Sequence, residues 1–369
     1  MKFSCEKSLL INAASSAGRA AIAKSPQPAL EGILIEARDQ LYLTGYNMEI
    51  GIRTQISADI SQRGSIVLSA KILNDIIRSM PDDIITFQTE DNFVTNIKCG
   101  NSNFNIVGMD AANYPELPIL DQKNSFFIEE RLLKSLVGQT IFAVSDNEAR
   151  PVYTGELFAI EGNTATAVAL DGFRIALRRE IVDNNAGESF SFIIPAAALK
   201  EADKIASDCD SKVEIRRGSK HAMFIFQNVT LITRLLEGEF LDYKNAIPRQ
   251  NKKICLFDTA ALKNTVDRIA VIIDDVTKYS ARCTFEENVL KIKALTGIGE
   301  AYDQCAMQGD GEKLEIGFNV RYLQDALKAV HCEQIKLELG TNITPVVIVP
   351  AQGEENFLYM VLPVRLKTV

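Results

Sequence analysis

The 369-residue sequence predicts an α+β protein of three similar domains, each with two helices packed on antiparallel sheets. Three observations carry that expectation. One strand-to-helix pattern recurs three times, a second recurs three times beside it, and alternating apolar runs fill the intervals.

The first pattern is "FSCEKSLLINAA" from Phe3, "FFIEERLLKSLV" from Phe126 and "CLFDTAALKNTV" from Cys255. Each reads as a short strand, a polar or acidic residue at a helix start, then an amphipathic helix. Leu10, Leu133 and Leu262 are 123 and 129 residues apart. The second pattern is "VLSAKILNDIIR" from Val67, "IIPAAALKEADK" from Ile193 and "GFNVRYLQDALK" from Gly317. Leu73, Leu199 and Leu323 are 126 and 124 apart. Ser69 and Asn319 suit N-caps, and Pro195 suits a first helical turn. A period near one third of the chain is too long for a solenoid unit and right for a domain.

Between the helices lie "GILIEARDQLYLTGY", "GELFAIEGNTATAVAL" and "CTFEENVLKIKAL", which read as antiparallel hairpins. The linkers "MDAANYPELPIL" (109–120) and "LEGEFLDYKNAIP" (236–248) each carry an aromatic before a turn. Boundaries near 122 and 250 follow, giving domains 1–122, 123–250 and 251–369.

One hairpin tip stands out, in "VALDGFRIALRR" (168–179). Asp171-Gly172 reads as a two-residue type I′ turn with φ > 0 at both central positions. Leu170 and Phe173 flank it, so the tip is apolar. Such a tip either packs under a neighbouring loop or forms one wall of a pocket.

Composition excludes several classes. The net charge is −8, so nucleic acid is not held by bulk charge, and a DNA role requires cations gathered on one face. No stretch reaches the roughly eighteen apolar residues of a membrane helix. The start "MKFSCEKSLL" lacks a signal pattern. Seven cysteines without C-x-x-C fit buried free thiols in a reducing cytoplasm, with no disulfide frame and no zinc site. Two histidines and no Trp leave little imidazole chemistry. No phosphate loop, H-E-x-x-H or G-x-S-x-G is present. "DCDSK" (208–212) lacks the Gly and distal Glu of a calcium loop. No catalytic, cofactor or metal residue is expected.

The six expected helices carry cations at helical spacing: Arg19 and Lys24, Lys71 and Arg78, Arg131 and Lys134, Lys200 and Lys204, Lys263 and Arg268, Arg321 and Lys328. Asp75, Asp203, Asp267 and Asp325 are interleaved, which also suits plain solvated faces. Lining a channel, such sparse cations suit loose, sequence-blind phosphate contact.

Three similar domains, a start of the form M-K-F, "LDGFRIA", "IGFNVRYLQDAL" and a final "YMVLPVRL" together resemble the bacterial sliding clamp family, the β subunits of DNA polymerase III. The resemblance spans essentially the whole chain. It implies the DNA clamp fold in a ring-forming, head-to-tail homodimer that encircles duplex DNA and slides. It also implies no catalytic activity, a clamp loader that opens the ring, and a cytoplasmic location without membrane contact. The polymerase α subunit and other proteins would dock through short peptides.

The resemblance places the peptide pocket between the middle and last domains. Tyr153, Leu170, Gly172, Phe173, Arg174 and Ile175 would form one wall. Leu241, Asn245 and Ala246 would form the rim. Ile343, Pro345, Met360, Val361, Leu362, Pro363, Val364 and Arg365 would close it, with Tyr322 nearby. Apolar walls would bury a Leu-Phe anchor and polar rim groups would fix a Gln, with Met360 adapting to several partners. Matching positions give Lys24, Lys71, Asn147 and Arg150 to DNA. They set Phe104 and Ile106 against Val271 and Ile272 of the partner subunit.

Several positions depart from the family pattern. Phe173 stands where His is frequent, Tyr153 where Leu is, and Leu241 and Asn245 where Pro and Arg are. Ala196 and Ala197 stand where basic residues are frequent. Lys367, Thr368 and Val369 extend past the usual end. An alternative reading is a monomeric peptide-binding adaptor of the same fold, and another is an enzyme with a diffuse site.

Overall fold

Each expected strand-to-helix unit is present in the structure, a computed structural model that describes residues 1–120, 124–184, 187–273, 280–309, 312–352 and 356–366. The expected helices are α1 (Lys7–Gly18), α2 (Ala70–Ser79), α3 (Glu130–Gly138), α4 (Ala196–Ile205), α6 (Thr259–Ala270) and α7 (Val320–Lys328). A one-turn helix in the second linker, α5 (Tyr243–Ala246), joins them.

The apolar spacing explains which face each helix buries. Leu73, Ile76 and Ile77 of α2 are buried, as are Leu262, Val266 and Ile269 of α6 and Leu323, Ala326 and Leu327 of α7. Each large side chain so buried stabilises the fold by ~1.5–3 kcal/mol. The Asp258 carboxylate caps α6 by accepting from Ala261 N–H, and Asn319 caps α7 by accepting from Arg321 N–H. Ser69 occupies the N-cap of α2 without a side-chain bond. Pro195 is the last residue of the strand before α4, one position short of the first turn where it was expected. Lys24 is not on the first helix. α1 stops at Gly18, and Ile22 N–H bonds Leu30 O instead, so Lys24 lies in an exposed loop.

The chain forms two compact units. One comprises Met1–Arg131, Asp183–Gly187 and Ala197–Leu235; the other comprises Leu132–Val182, Glu188–Ala196 and Leu236–Val369. The middle third of the chain contributes strands to each, which is why two units emerge where three repeats were read.

The first unit holds a five-stranded and a nine-stranded antiparallel sheet. The nine-stranded sheet is continuous because Val229–Arg234 pairs with Ile50–Ile56, for example Leu231 with Ile52. α1 lies so close to strand Leu41–Tyr46 that a Cβ on Gly45 would fall 1.9 Å from Ala17 O. Phe3 and Phe87 stack in this core at 4.8 Å.

The second unit holds an eight-stranded and a four-stranded sheet. The eight strands run in the order Phe190–Pro195, Gly155–Glu161, Thr164–Leu170, Arg174–Ile181, Phe357–Val361, Val346–Pro350, Gln334–Leu339, Lys253–Asp258. Strand alternation gives this sheet two apolar faces. Ala169, Ala176, Val346, Ile348, Tyr359 and Val361 join the core of α6 and α7. Val168, Leu170, Ile175, Leu177, Val347 and Met360 form a separate cluster on the opposite face.

The repeat extends to the hairpin tips. Asp171 N–H bonds Arg174 O, and the Asp171 carboxylate accepts from Phe173 N–H at 2.9 Å and Arg174 N–H at 3.1 Å. Asn47 does the same for Glu49 N–H at 3.0 Å and Ile50 N–H at 2.6 Å. Thr296 accepts from Ile298 N–H at 3.3 Å. The tip at 171 is not the type I′ turn expected. Leu170 pairs with Ile175, so Gly172 and Phe173 are central, and of these only Gly172 has positive φ, 93°. Asp171 serves as the side-chain acceptor and stands one position earlier.

Candidate functional site

The face of the eight-stranded sheet opposite α6 and α7 carries the candidate site. Val168 and Leu170, Ile175 and Leu177, and Met360 are buried there side by side, with Leu358 and Leu362 packed against them. Leu170 pairs with Ile175 and Ile175 with Met360, so three neighbouring strands present apolar side chains in register. Tyr153 and Phe240 close one end edge-to-face at 5.6 Å. Tyr243 of α5 is buried beside them, and burial raises its phenol's pKa.

Arg174, beside Ile175 in the same strand, sends its side chain to the opposite face, against α7. Its Nε lies 2.9 Å from Asp171 Oδ2 and its Nη1 2.7 Å from Asp325 Oδ2 on α7, while Nη2 donates to Phe142 O at 2.6 Å. The guanidinium also lies over the Tyr322 ring at 4.6 Å. Phe173 stacks on that ring at 6.2 Å yet remains 58% exposed. The apolar tip is therefore tied to α7 by Arg174, with Phe173 left exposed.

The remaining expected pocket residues divide. Leu241, Asn245 and Ala246 are exposed on and before α5, and Asn245 Nδ2 donates to Asp242 Oδ2 at 2.7 Å. Ile343 is 77% exposed in a turn tied by Thr341 and Thr344, and Pro345 follows it. Leu362 N–H bonds Phe173 O, which joins the chain's end to the tip. Val361 belongs to the opposite core, because a run of consecutive strand residues cannot line one wall. Val364 bridges to Gly317 through its backbone. Pro363 is half-buried, Arg365 is exposed, and Lys367, Thr368 and Val369 lie outside the described residues.

The repeat supplies a comparison from the first unit. There Ala29, Tyr46, Val67 and Tyr114 form the matching cluster. Tyr114 OH donates to Thr44 O at 3.1 Å, and Leu117 packs so closely that a Cβ on Gly51 would lie 2.5 Å from it. Gly51 stands 124 residues before Ile175. The first linker thus packs onto its face at Gly51, while the second leaves Leu241 43% exposed.

Val168, Leu177, Val347, Phe240 and Tyr243 belong to the same cluster and were not expected there. Their signal was present in "TATAVAL" and "RIAL", where alanines alternate with larger side chains and both faces are apolar.

The expected DNA residues Lys24 and Lys71 are exposed in the first unit. In the second, Asn147 and Arg150 share an exposed loop in which Asn147 Oδ1 accepts from Ala149 N–H at 3.0 Å. Phe104 lies on the edge strand Ser102–Val107 and is partly exposed, while Ile106 packs on its own core. Val271 is 81% exposed after α6, while Ile272 packs inward. The four-stranded sheet ends in Gly299–Ala306, another edge strand, with Tyr302 exposed.

Among the described residues, no cluster of His, Cys, Asp and Glu suits a metal, and no helix is long and apolar enough to cross a membrane. All seven cysteines are free.

Residues 1–118, 127–242 and 244–365 match the models of the N-terminal, central and C-terminal domains of the DNA polymerase III beta subunit. The chain belongs to that family. A beta sliding clamp of Halalkalibacterium halodurans is 33% identical over 99% of this chain and 100% of its own, and that of Bacillus subtilis is 30% identical over the same shares. The crystal structure of the Bacillus subtilis sliding clamp superposes with a TM-score of 0.95 at 29% identity, covering 100% of each chain. A Pseudomonas aeruginosa sliding clamp with ligand gives 0.94 at 26% identity, covering 99% of this chain and 100% of its own. The fold is the three-domain sliding clamp fold of the family, with antiparallel sheets and seven helices among the described residues.

Proposed function

We propose that this chain is a DNA polymerase processivity factor, a non-catalytic homodimeric ring that slides on duplex DNA and docks replication and repair proteins through one peptide pocket. The domains run near 1–122, 123–250 and 251–369, close to the three family matches. A clamp loader opens the ring, and the polymerase α subunit is among the docked partners.

The observation that carries the reading is the buried apolar cluster around Leu170, Ile175 and Met360, bordered by the exposed apolar side chains Phe173 and Leu241. Exposed apolar side chains at the border of a buried apolar cluster suit a short apolar anchor, and Arg174 holds the tip in place. Sequence-independent contact with duplex DNA falls to Lys24, Lys71, Asn147 and Arg150. Exposed edge strands around Phe104 and Tyr302, with Val271 nearby, suit pairing between copies, because an uncovered edge invites another chain.

Fluorescence anisotropy with a labelled Gln-Leu-x-Leu-Phe peptide tests the pocket. Saturable binding is expected, with loss in Met360→Lys. Retention on circular DNA, released when the circle is cut, tests the ring. Equal retention on linear DNA, or a monomer at micromolar concentration, would instead support a plain adaptor.

A further inference from the structure

Two strand junctions in this chain follow one rule, and the partners of a third are left unpaired. Each repeat has a hairpin-tip residue whose side chain accepts a backbone N–H two residues on: Asn47, Asp171 and Thr296. Each repeat also has an isolated bridge just past its last strand, at Met109, Leu236 and Val364. At the first junction Gly51, four residues after Asn47, pairs with Ile232, four before Leu236. At the second Ile175, four after Asp171, pairs with Met360, four before Val364. The same count after Thr296 and before Met109 gives Glu300 and Asn105. These lie on Gly299–Ala306 and Ser102–Val107, the edge strands of the four-stranded and five-stranded sheets.

We infer that Ser102–Val107 of a second copy pairs antiparallel with Gly299–Ala306, with Asn105 opposite Glu300 and Asn103 opposite Tyr302, and that these two asparagines select the edge they join by amide hydrogen bonds. The inference rests on the homodimer reading and adds its register and its polar determinants. Sheet size supports it: four strands beside five span nine, as in the first unit. The faces match as well. Ala301, which packs against the core of α6 and α7, falls opposite Phe104, whose neighbour Ile97 is buried in the first unit's core. A slip of one residue would set Phe104 against Glu300 or Tyr302. The polar groups match too. Asn96 Nδ2 donates to Asn103 Oδ1 at 2.5 Å and to Asn105 Oδ1 at 2.7 Å, which leaves both exposed amide nitrogens as donors. Tyr302 directs its hydroxyl hydrogen to Gln304 Oε1 at 3.0 Å and keeps its lone pairs as acceptors. The Glu300 carboxylate has acceptor sites beyond its 2.6 Å contact with Lys293. Ser102–Val107 carries no charged residue, so no like-charge pair opposes the join.

Disulfide trapping tests the register. Paired residues on antiparallel strands have Cα atoms about 4.5–5.5 Å apart, within disulfide reach, and a two-residue offset exceeds it. Glu300→Cys with Asn105→Cys, and Tyr302→Cys with Asn103→Cys, are each expected to yield a covalent dimer on mild oxidation. The yield should stand well above that of the native chain, with its seven free cysteines, and of the offset pair Glu300→Cys with Asn103→Cys. Asn105→Asp keeps the oxygen that Asn96 holds and turns the donor into a carboxylate facing Glu300. Sedimentation is expected to show dimer affinity reduced about tenfold, recovered by adding Glu300→Gln. Asn103→Asp is expected to weaken the dimer without recovery by Glu300→Gln. A dimer that cross-links in the offset pair or in none, or an Asn105→Asp chain that dimerises like the native one, overturns the inference and leaves the homodimer reading standing. A native chain that sediments as a monomer at micromolar concentration overturns both.

Discussion

Arg174 and Asp325 meet at 2.7 Å, and this contact ties the hairpin tip at Asp171 to α7. The Arg174 side chain is nearly buried, and it also satisfies Asp171 and Phe142 O. Arg174→Ala leaves two carboxylates without their cation, so a loss of roughly 3 kcal/mol is expected in denaturant unfolding. Arg174→Lys rescues little, because a single ammonium cannot reproduce the planar fork. Anchor-peptide affinity falls in both.

Phe173 gives the opposite pattern. It is mostly exposed and held by stacking on Tyr322. Phe173→Ala is expected to leave the unfolding midpoint nearly unchanged, within about 0.5 kcal/mol, as for a typical surface position. Peptide affinity should drop about tenfold, the size of a moderate hot spot. Anisotropy and urea titration on one preparation separate the two effects.

Glu156 predicts a pH dependence of stability. Its carboxyl is fully buried, and burial pushes its pKa up from 4.5 to about 8, partly offset by its bond with Thr140 at 3.0 Å. Oε1 has no partner among the described residues. Thr140 Oγ1 also lies 2.6 Å from Leu136 O, so its single hydroxyl hydrogen is shared between two acceptors and offsets the burial only in part. The folded state holds a proton that the unfolded chain releases near 4.5. The resulting stabilisation is complete below about 4.5 and lost as pH rises through about 8, by at most about 1.4 kcal/mol per pH unit. Urea unfolding from pH 5 to 9 should show this decline, and Glu156→Gln should flatten it.

Glu201 holds two cations of the first unit. Arg19 Nε and Lys204 Nζ each lie 2.7 Å from its carboxylate. Glu201→Gln releases both. On the proposed DNA reading, binding to a short duplex should strengthen, and its log–log salt slope should steepen by up to about 0.9 per freed cation. An unchanged slope would show that neither cation faces phosphate.

Much of the fold was legible because it depends on local periods. The recurrences aligned through Leu10, Leu133 and Leu262 each became a strand and a helix, and the caps at Asp258 and Asn319 form as their chemistry predicts. Lys24 was misread because charge spacing cannot show that α1 stops at Gly18. The turn at Asp171 was misplaced by one residue because a two-residue motif does not set which strand pair closes it; the Leu170–Ile175 pairing does.

The sequence by itself determined the three-fold repeat, the two apolar faces of the middle strands and the identity of the tip residues. All of these follow from side-chain period and type along one stretch of chain. Only the tertiary structure decided which face is covered. Leu117 closes over Gly51 in one unit, while in the other Leu241 and Phe173 stay exposed at the border of the cluster that holds Ile175 and Met360. That difference arises from pairing Ile175 with Met360, 185 residues apart, and from where each linker packs. Alternation says which side chains share a face, but only distant chain segments brought together determine what that face meets.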